Sequence, residues 1–130
     1  MPLSQVFDAE VSQLLASHPH KYRECLEEIR LLFLGADLNI ADGIKWNSMS
    51  FRTHEWFATW NQRAEDKIQF VFHLGAKKRK DEFSSMSHDL GDRVEWKSGD
   101  RCLVTFSDSE DVMGCKQEFA QFVRSWIAYV

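Results

Sequence analysis

The chain has 130 residues, with 16 Lys and Arg against 20 Asp and Glu, a formal net charge of -4 and 44% hydrophobic side chains. That length supports one core and a single domain over residues 1-130, and the composition excludes a disordered or collagen-like polymer. The net negative charge excludes recruitment of DNA or an anionic membrane by whole-molecule electrostatics, so nucleic-acid binding is disfavoured without a local patch.

The start of the chain carries Asp8 and Glu10 and lacks the basic opening and long apolar run of a secretory signal. No later stretch approaches about 18 uninterrupted apolar residues, so no membrane partner is expected and a cytoplasmic location is. Cys25, Cys102 and Cys115 are odd in number and widely spaced. They argue against a disulfide framework or a cysteine zinc site and are read as free, buried thiols.

Leu3, Phe7, Val11, Leu14 and His18 recur at helical steps, which predicts a first helix capped by Ser4 and stopped by Pro19. A second stripe, Tyr22, Cys25, Leu26, Ile29, Leu32, Phe33 and Ala36, predicts a second helix ending near Gly35. After Asn39 the period falls to two, and runs at Ile44 to Ser48, Glu55 to Asn61, Lys67 to Leu74, Arg93 to Lys97 and Cys102 to Phe106 predict five strands. Turn residues at Gln62 to Asp66 and Lys97 to Arg101 suggest antiparallel hairpins and a simple meander. Ala76 to Asp92, polar and with Lys77-Lys78-Arg79-Lys80 near its start, reads as a long surface connection and candidate mobile segment. Ser107, with Glu110 three residues on, would cap a single closing helix through Val112, Cys115, Phe119, Phe122, Val123, Trp126, Ile127 and Val130. The expected class is α+β: two N-terminal helices, a five-stranded antiparallel sheet and a C-terminal helix, with the helices on one sheet face.

Strand alternation sorts the side chains into two faces, leaving open which one the helices cover. His54, Trp56, Ala58 and Trp60 share a face opposite Glu55, Phe57, Thr59 and Asn61, and Ile68, Phe70 and Phe72 oppose Gln69, Val71 and His73. If helices cover the Ile68, Phe70 and Phe72 side, the other mixes Gln69, Val71 and His73 with Lys45, Asn47, Arg101, Leu103 and Thr105. Such a half-polar surface suits a ligand. Trp46, Trp56, Trp60 and Trp96 serve either as core or as a stacking wall for a planar ligand.

The histidines form no metal signature, and the His18-Pro19-His20 corner reads as a solvated or helix-end feature. Glu24, Glu27 and Glu28 group on the second helix, and Asp108, Glu110 and Asp111 group at the start of the last. Carboxylates in such groups can hold hard cations, but the second group also suits the positive end of a helix. The Lys77 to Lys80 run is a weak phosphate-contact signal against a solvated loop. GxSxG, Walker A, GxGxxG and HExxH are all missing, so nothing in the sequence marks an enzyme.

The run Gly43-Ile44-Lys45-Trp46-Asn47-Ser48-Met49-Ser50-Phe51 resembles the "IKWG-x-P-x-F" segment of the YdhG-like family of bacterial domains of unknown function. Asn47 stands where many members have Gly. Trp56-Phe57-Ala58, Lys67 to Ala76 and Arg101 to Ser107 resemble that family's second, third and last strands. The resemblance implies a frataxin-like α/β sandwich. One branch of the family is regarded as a frataxin-like iron chaperone, which implies iron bound by exposed carboxylates.

The expected function is a small ligand- or partner-binding domain whose open sheet face carries the site. Lys45 and Arg101 would meet an anionic group, Trp46 and Trp56 a planar one, and His73 would stand at the strand end. The alternative is an iron-binding chaperone using Glu24, Glu27 and Glu28. The partner class stays open between a small molecule and a protein, and an aromatic face equally fits a homodimer contact.

Overall fold

The computed structural model describes residues 7–73, 88–98, 100–128 and 130. Helix α1 (Ala9–Ser17) is capped by Asp8, whose carboxylate accepts the Val11 amide at 3.0 Å. Ser4, the expected cap, lies outside the described residues. Val11 and Leu15, one turn apart, are buried, and the chain then turns through Pro19 into α2 (Arg23–Ala36). This helix buries Cys25, Leu26, Ile29, Phe33 and Ala36 of the predicted stripe and leaves Tyr22 and Leu32 half-buried, while Leu34, outside that stripe, is buried as well.

Among the described residues the sheet has six strands, not five: β1 (Ala41–Lys45), β2 (Ser48–Arg52), β3 (Trp56–Trp60), β4 (Ile68–Phe72), β5 (Val94–Ser98) and β6 (Arg101–Phe106). The run expected as one strand from Ile44 to Ser48 is a tight hairpin. Trp46 and Asn47 take left-handed backbone angles, φ 52° and 59°, and Lys45 pairs with Ser48 across them. Two consecutive left-handed residues make the hairpin turn whose twist matches its strands. All pairings are antiparallel, in the order β1-β2-β3-β4-β6-β5, so the simple meander fails at its end. Burial accounts for the exchange. Cys102, Val104 and Phe106 of β6 are fully buried and take the inner place, while β5 offers only half-buried Val94 and Trp96 and forms the edge.

The closing helix is also divided, into α3 (Ser109–Met113) and α4 (Lys116–Ile127), with the break at Gly114 and Cys115. Asp108, rather than Ser107, is the cap: its carboxylate accepts the Asp111 amide, and the Asp111 carboxylate accepts the Ser107 amide in return. Most of the 76–92 connection, including Lys77 to Lys80, lies outside the described residues. Its end forms a short 3-10 turn at Gly91–Arg93. Among the described residues no helix is long and apolar enough to cross a membrane.

All helices cover one sheet face, an α+β arrangement with a single core. Phe33 of α2 sits at its centre, stacked on Phe51 at 3.9 Å and in ring contact with Phe57, Phe70, Phe72 and Phe119. Ile68, Phe70 and Phe72 therefore face the helices, leaving Gln69, Val71 and His73 on the other side. The His18–His20 corner, expected as a solvated or helix-end feature, is a helix-end one: His18 caps the C-terminus of α1 and is half-buried. His20 is buried, accepts the Tyr22 amide on Nδ1 and donates Nε2–H to the Ala64 carbonyl at 2.9 Å. Both imidazoles pack edge-on against buried Trp60. The three cysteines are free and buried, and burial pushes the Cys102 thiol up to about 12.

One buried ion pair ties the helices to the sheet. Arg30 donates from Nε to Asp42 of β1 at 2.7 Å and from Nη2 at 2.6 Å, with side-chain exposures of 4% and 1%. The same guanidinium reaches Ser12 Oγ and the Asp8 carbonyl, and the Asp8 amide returns to Asp42 Oδ1. Start of α1, middle of α2 and β1 are thus held by one network. Asp42→Ala strands a buried cation and is expected to cost about 3 to 5 kcal/mol in a urea titration, whereas Arg30→Met with Asp42→Leu costs clearly less. Equal losses would show that the network carries no charge-specific stability.

Candidate functional site

Strand register assigns the open face. Asp42 and Ile44 pair with Phe51 and Met49 on the helix side, so Gly43 and Lys45 turn outward with their partners Ser50 and Ser48. Ser50 pairs with Thr59, and Thr59 with Val71, which continues the outward set across the sheet. Beyond the Phe72–Cys102 pair, His73 and Arg101 follow at the same end of their strands, again outward. Lys45, His73 and Arg101 therefore lie on one face, as their alternation predicts.

Trp56 reaches that face by a different route. The expected alternation put it with Ala58 and Trp60, but the β2–β3 register slips by one: Phe51 opposes Ala58, whereas Arg52 opposes Trp56. Phe57 is the extra residue and enters the core, 6.1 Å from Phe33. Ala58 and Trp60 are core, and Trp56 is turned outward. A Cβ on Gly43 would stand 2.9 Å from the Trp56 ring, so the missing side chain lets the indole lie across β1. The Arg52 guanidinium covers the same ring at 5.7 Å. Trp60 is buried, and Trp96 stacks on Trp126, so neither is a ligand wall.

The face is not flat. Ser50 Oγ donates toward the carbonyls of Lys45 and Ser48, both at 3.2 Å, which brings the hairpin tip over the sheet. Gln62 braces the tip by donating to the Asn47 carbonyl at 2.8 Å. Trp46, 57% exposed, then stands edge-on against His73 with ring centres 5.1 Å apart, and the Lys45 ammonium lies 5.5 Å over the indole. Beneath the tip runs a row of polar groups: Ser50 Oγ is 3.0 Å from Thr59 Oγ1, which is 3.4 Å from His73 Nε2. Alongside, Asn61 donates to Gln69 and Gln69 to Thr105.

Sequence reasoning did not name Ser50, Thr59 or Arg52 as site residues, and strand register brings them onto the open face.

His73 is 8% exposed, and its carbonyl accepts the Trp126 indole N–H from α4 at 3.0 Å. Burial, and secondly the Arg101 charge, lower its pKa from 6.5 to about 4. The imidazole is neutral at pH 7. Lys45, Arg52 and Arg101 have no carboxylate partner among the described residues, whereas the acid of this face, Glu95, is held by Lys97 at 2.8 Å. The face is cationic although the chain is acidic.

The carboxylates expected as the alternative iron ligands are arranged otherwise. Glu24, Glu27 and Glu28 are exposed along α2, and Glu28 lies 3.8 Å from the Lys116 ammonium. Among the described residues no three His, Cys, Asp or Glu side chains converge as a metal ion would require. In comparisons with known proteins, no family model, curated protein or solved structure matches this chain.

The low pKa of His73 predicts an acid limb of stability. Between pH 6.5 and about 4 the unfolded chain binds a proton at this residue and the folded chain does not, so stability falls as pH drops through that window, by roughly 3 kcal/mol in all. His73→Gln is expected to lose less stability over the same window. Parallel losses in urea titrations at pH 7 and pH 4.5 would remove His73 as a contributor.

Proposed function

We propose that the open sheet face is a binding site for an organic anion with a flat apolar part. The observation that carries this reading is that three cations with no carboxylate partner among the described residues, Lys45, Arg52 and Arg101, share the face on which an exposed indole stands edge-on against a buried imidazole. Arg101 and Lys45 supply charge-assisted donors for the anionic group. Trp46 and Trp56 supply flat apolar surface, and the Ser50–Thr59–His73 row supplies hydrogen-bonding groups that fix orientation. This makes the protein a small binding domain, with an organic small molecule as the favoured partner.

The frataxin-like sandwich and YdhG-like membership belong to the same proposal. Helices gathered on one face of an antiparallel sheet support them, as does the placement of the Lys45-Trp46 segment at the site. Among the described residues no converging set of donors supports iron as the ligand.

A thermal-shift panel of aromatic carboxylates, nucleotides, acyl metabolites and divalent metals tests the reading. A ligand at about 100 times its Kd stabilises the fold by roughly 2.7 kcal/mol, a shift of several degrees in Tm. That shift is expected with an aromatic anion and is expected to vanish in Lys45→Ala combined with Arg101→Ala. An undiminished shift in the double variant moves the site elsewhere. A shift with ferrous iron alone overturns the proposal.

A further inference from the structure

Register orders the outward residues across the sheet. Arg52 of β2 opposes Trp56 of β3, the His73 amide after β4 donates to the Phe57 carbonyl at 2.8 Å, and Arg101 of β6 comes next beyond the Phe72–Cys102 pair. Arg52, Trp56, His73 and Arg101 thus form one row over four neighbouring strands, whose ends are three strand spacings apart, about 14 Å between backbones. The Arg52 guanidinium is drawn further out, 5.7 Å from a Trp56 ring that itself lies across β1. A single small anion does not reach it and Arg101 together.

Ring and charge repeat along this row. Trp56, half-buried, has the Arg52 guanidinium 5.7 Å from its centre, and Trp46, 57% exposed at the hairpin tip, has the Lys45 ammonium 5.5 Å from its own. These are two copies of one unit, an outward indole with a cation beside it. Arg101 adds a third cation one strand past the His73 ring against which Trp46 stands. Among the described residues none of the three cations has a carboxylate partner, and Glu95, the outward acid of β5, is held by Lys97.

A surface that repeats suits a ligand that repeats. Each nucleotide brings one flat base and one negative phosphate, and a single strand leaves the base faces open to stacking where a duplex hides them. We propose that the open face binds single-stranded nucleic acid running across the strands, with one base on Trp56, another on Trp46, and the phosphates along Arg52, Lys45 and Arg101. This rests on the open-face reading and lengthens its ligand from one planar anion to at least two joined ones. The acidic chain needs a local patch for such a ligand, and this row is one. Groups able to read base edges are engaged with one another: Asn61 donates to Gln69, Gln69 to Thr105, and Ser50 to carbonyls of its own hairpin. Binding is therefore tolerant of sequence.

The test titrates the intact chain at low salt with thymidine monophosphate, an oligothymidylate of about eight nucleotides, its oligouridylate counterpart, a hairpin duplex and inorganic polyphosphate of similar charge. The single strands are expected to quench tryptophan emission and to bind about tenfold or more tighter than the monophosphate, the polyphosphate or the duplex; the tighter of the two identifies DNA or RNA as the source. Log affinity should fall with log salt at a slope of about -2 for three phosphate contacts, and Arg52→Gln should make that slope shallower by about 0.7. Trp46→Gly, which the left-handed backbone there accommodates, is expected to weaken the single strands about fivefold or more, and Trp46→Phe to restore part of the loss.

The native chain gives a second readout, since of its five indole N–H resonances those of Trp46 and Trp56 should shift most with a single strand. Polyphosphate binding as tightly as the single strands, or shifts confined to the other tryptophans, overturns base stacking and with it the inference. Thymidine monophosphate binding as tightly as the oligomers overturns the repeated site while leaving the face as a small-anion site. If no strand binds, this inference falls, and the melting panel decides separately whether the face binds a ligand at all.

Discussion

A charge cannot stay in an apolar interior without an opposite charge, and in this chain that requirement sets the geometry of the sheet's first strand. Arg30 projects from the buried stripe of α2, so Asp42 must turn toward the helices to meet it. Side chains alternate along a strand, and this one choice sends Gly43 and Lys45 to the opposite face. A slip of one residue would bury Lys45 and expose Asp42. The open face is cationic partly because its neighbouring acid is consumed inside.

The same strand explains what could and could not be read from the residues. Amphipathic stripes at helical spacing announced α2 and α4, and the alternation of Ile68, Phe70 and Phe72 announced β4, because one side of each is continuous core. In β1 the inward positions hold Asp42 and the half-buried Ile44, and in β2 Ser48 and Ser50 are buried on the far side under the hairpin tip. Hydrophobic alternation is therefore weak where the polar pattern is strongest. The turn between them uses Trp46-Asn47 rather than a pair ending in Gly, so no turn signal divides the run.

Trp56 shows a second limit. Its alternation with Ala58 and Trp60 is regular in sequence, but a bulge adds Phe57 opposite the Arg52 position and reverses the parity beyond it. The bulge is favourable because it puts a phenyl ring into the core beside Phe33 and still leaves an indole for the face. Of the expected site residues, Lys45, His73 and Arg101 follow from alternation alone, Trp46 from the turn, and Trp56 from an irregularity that periodicity cannot report. Strand order was likewise beyond reach, since β5 and β6 are joined by a hairpin in either arrangement and only relative burial decides which lies at the edge.

Among the described residues, acids outnumber bases on the helices and bases outnumber acids on the strands. Glu24, Glu27 and Glu28 lie exposed on α2, and Asp108 and Asp111 are engaged at the start of α3 by the cap and by Arg93. These acids lie in the helical layer. The sheet strands hold Lys45, Arg52, Lys97 and Arg101 against Asp42, which is neutralised inside, and Glu95, which is neutralised by Lys97. A net charge of -4 thus describes the molecule and not this surface.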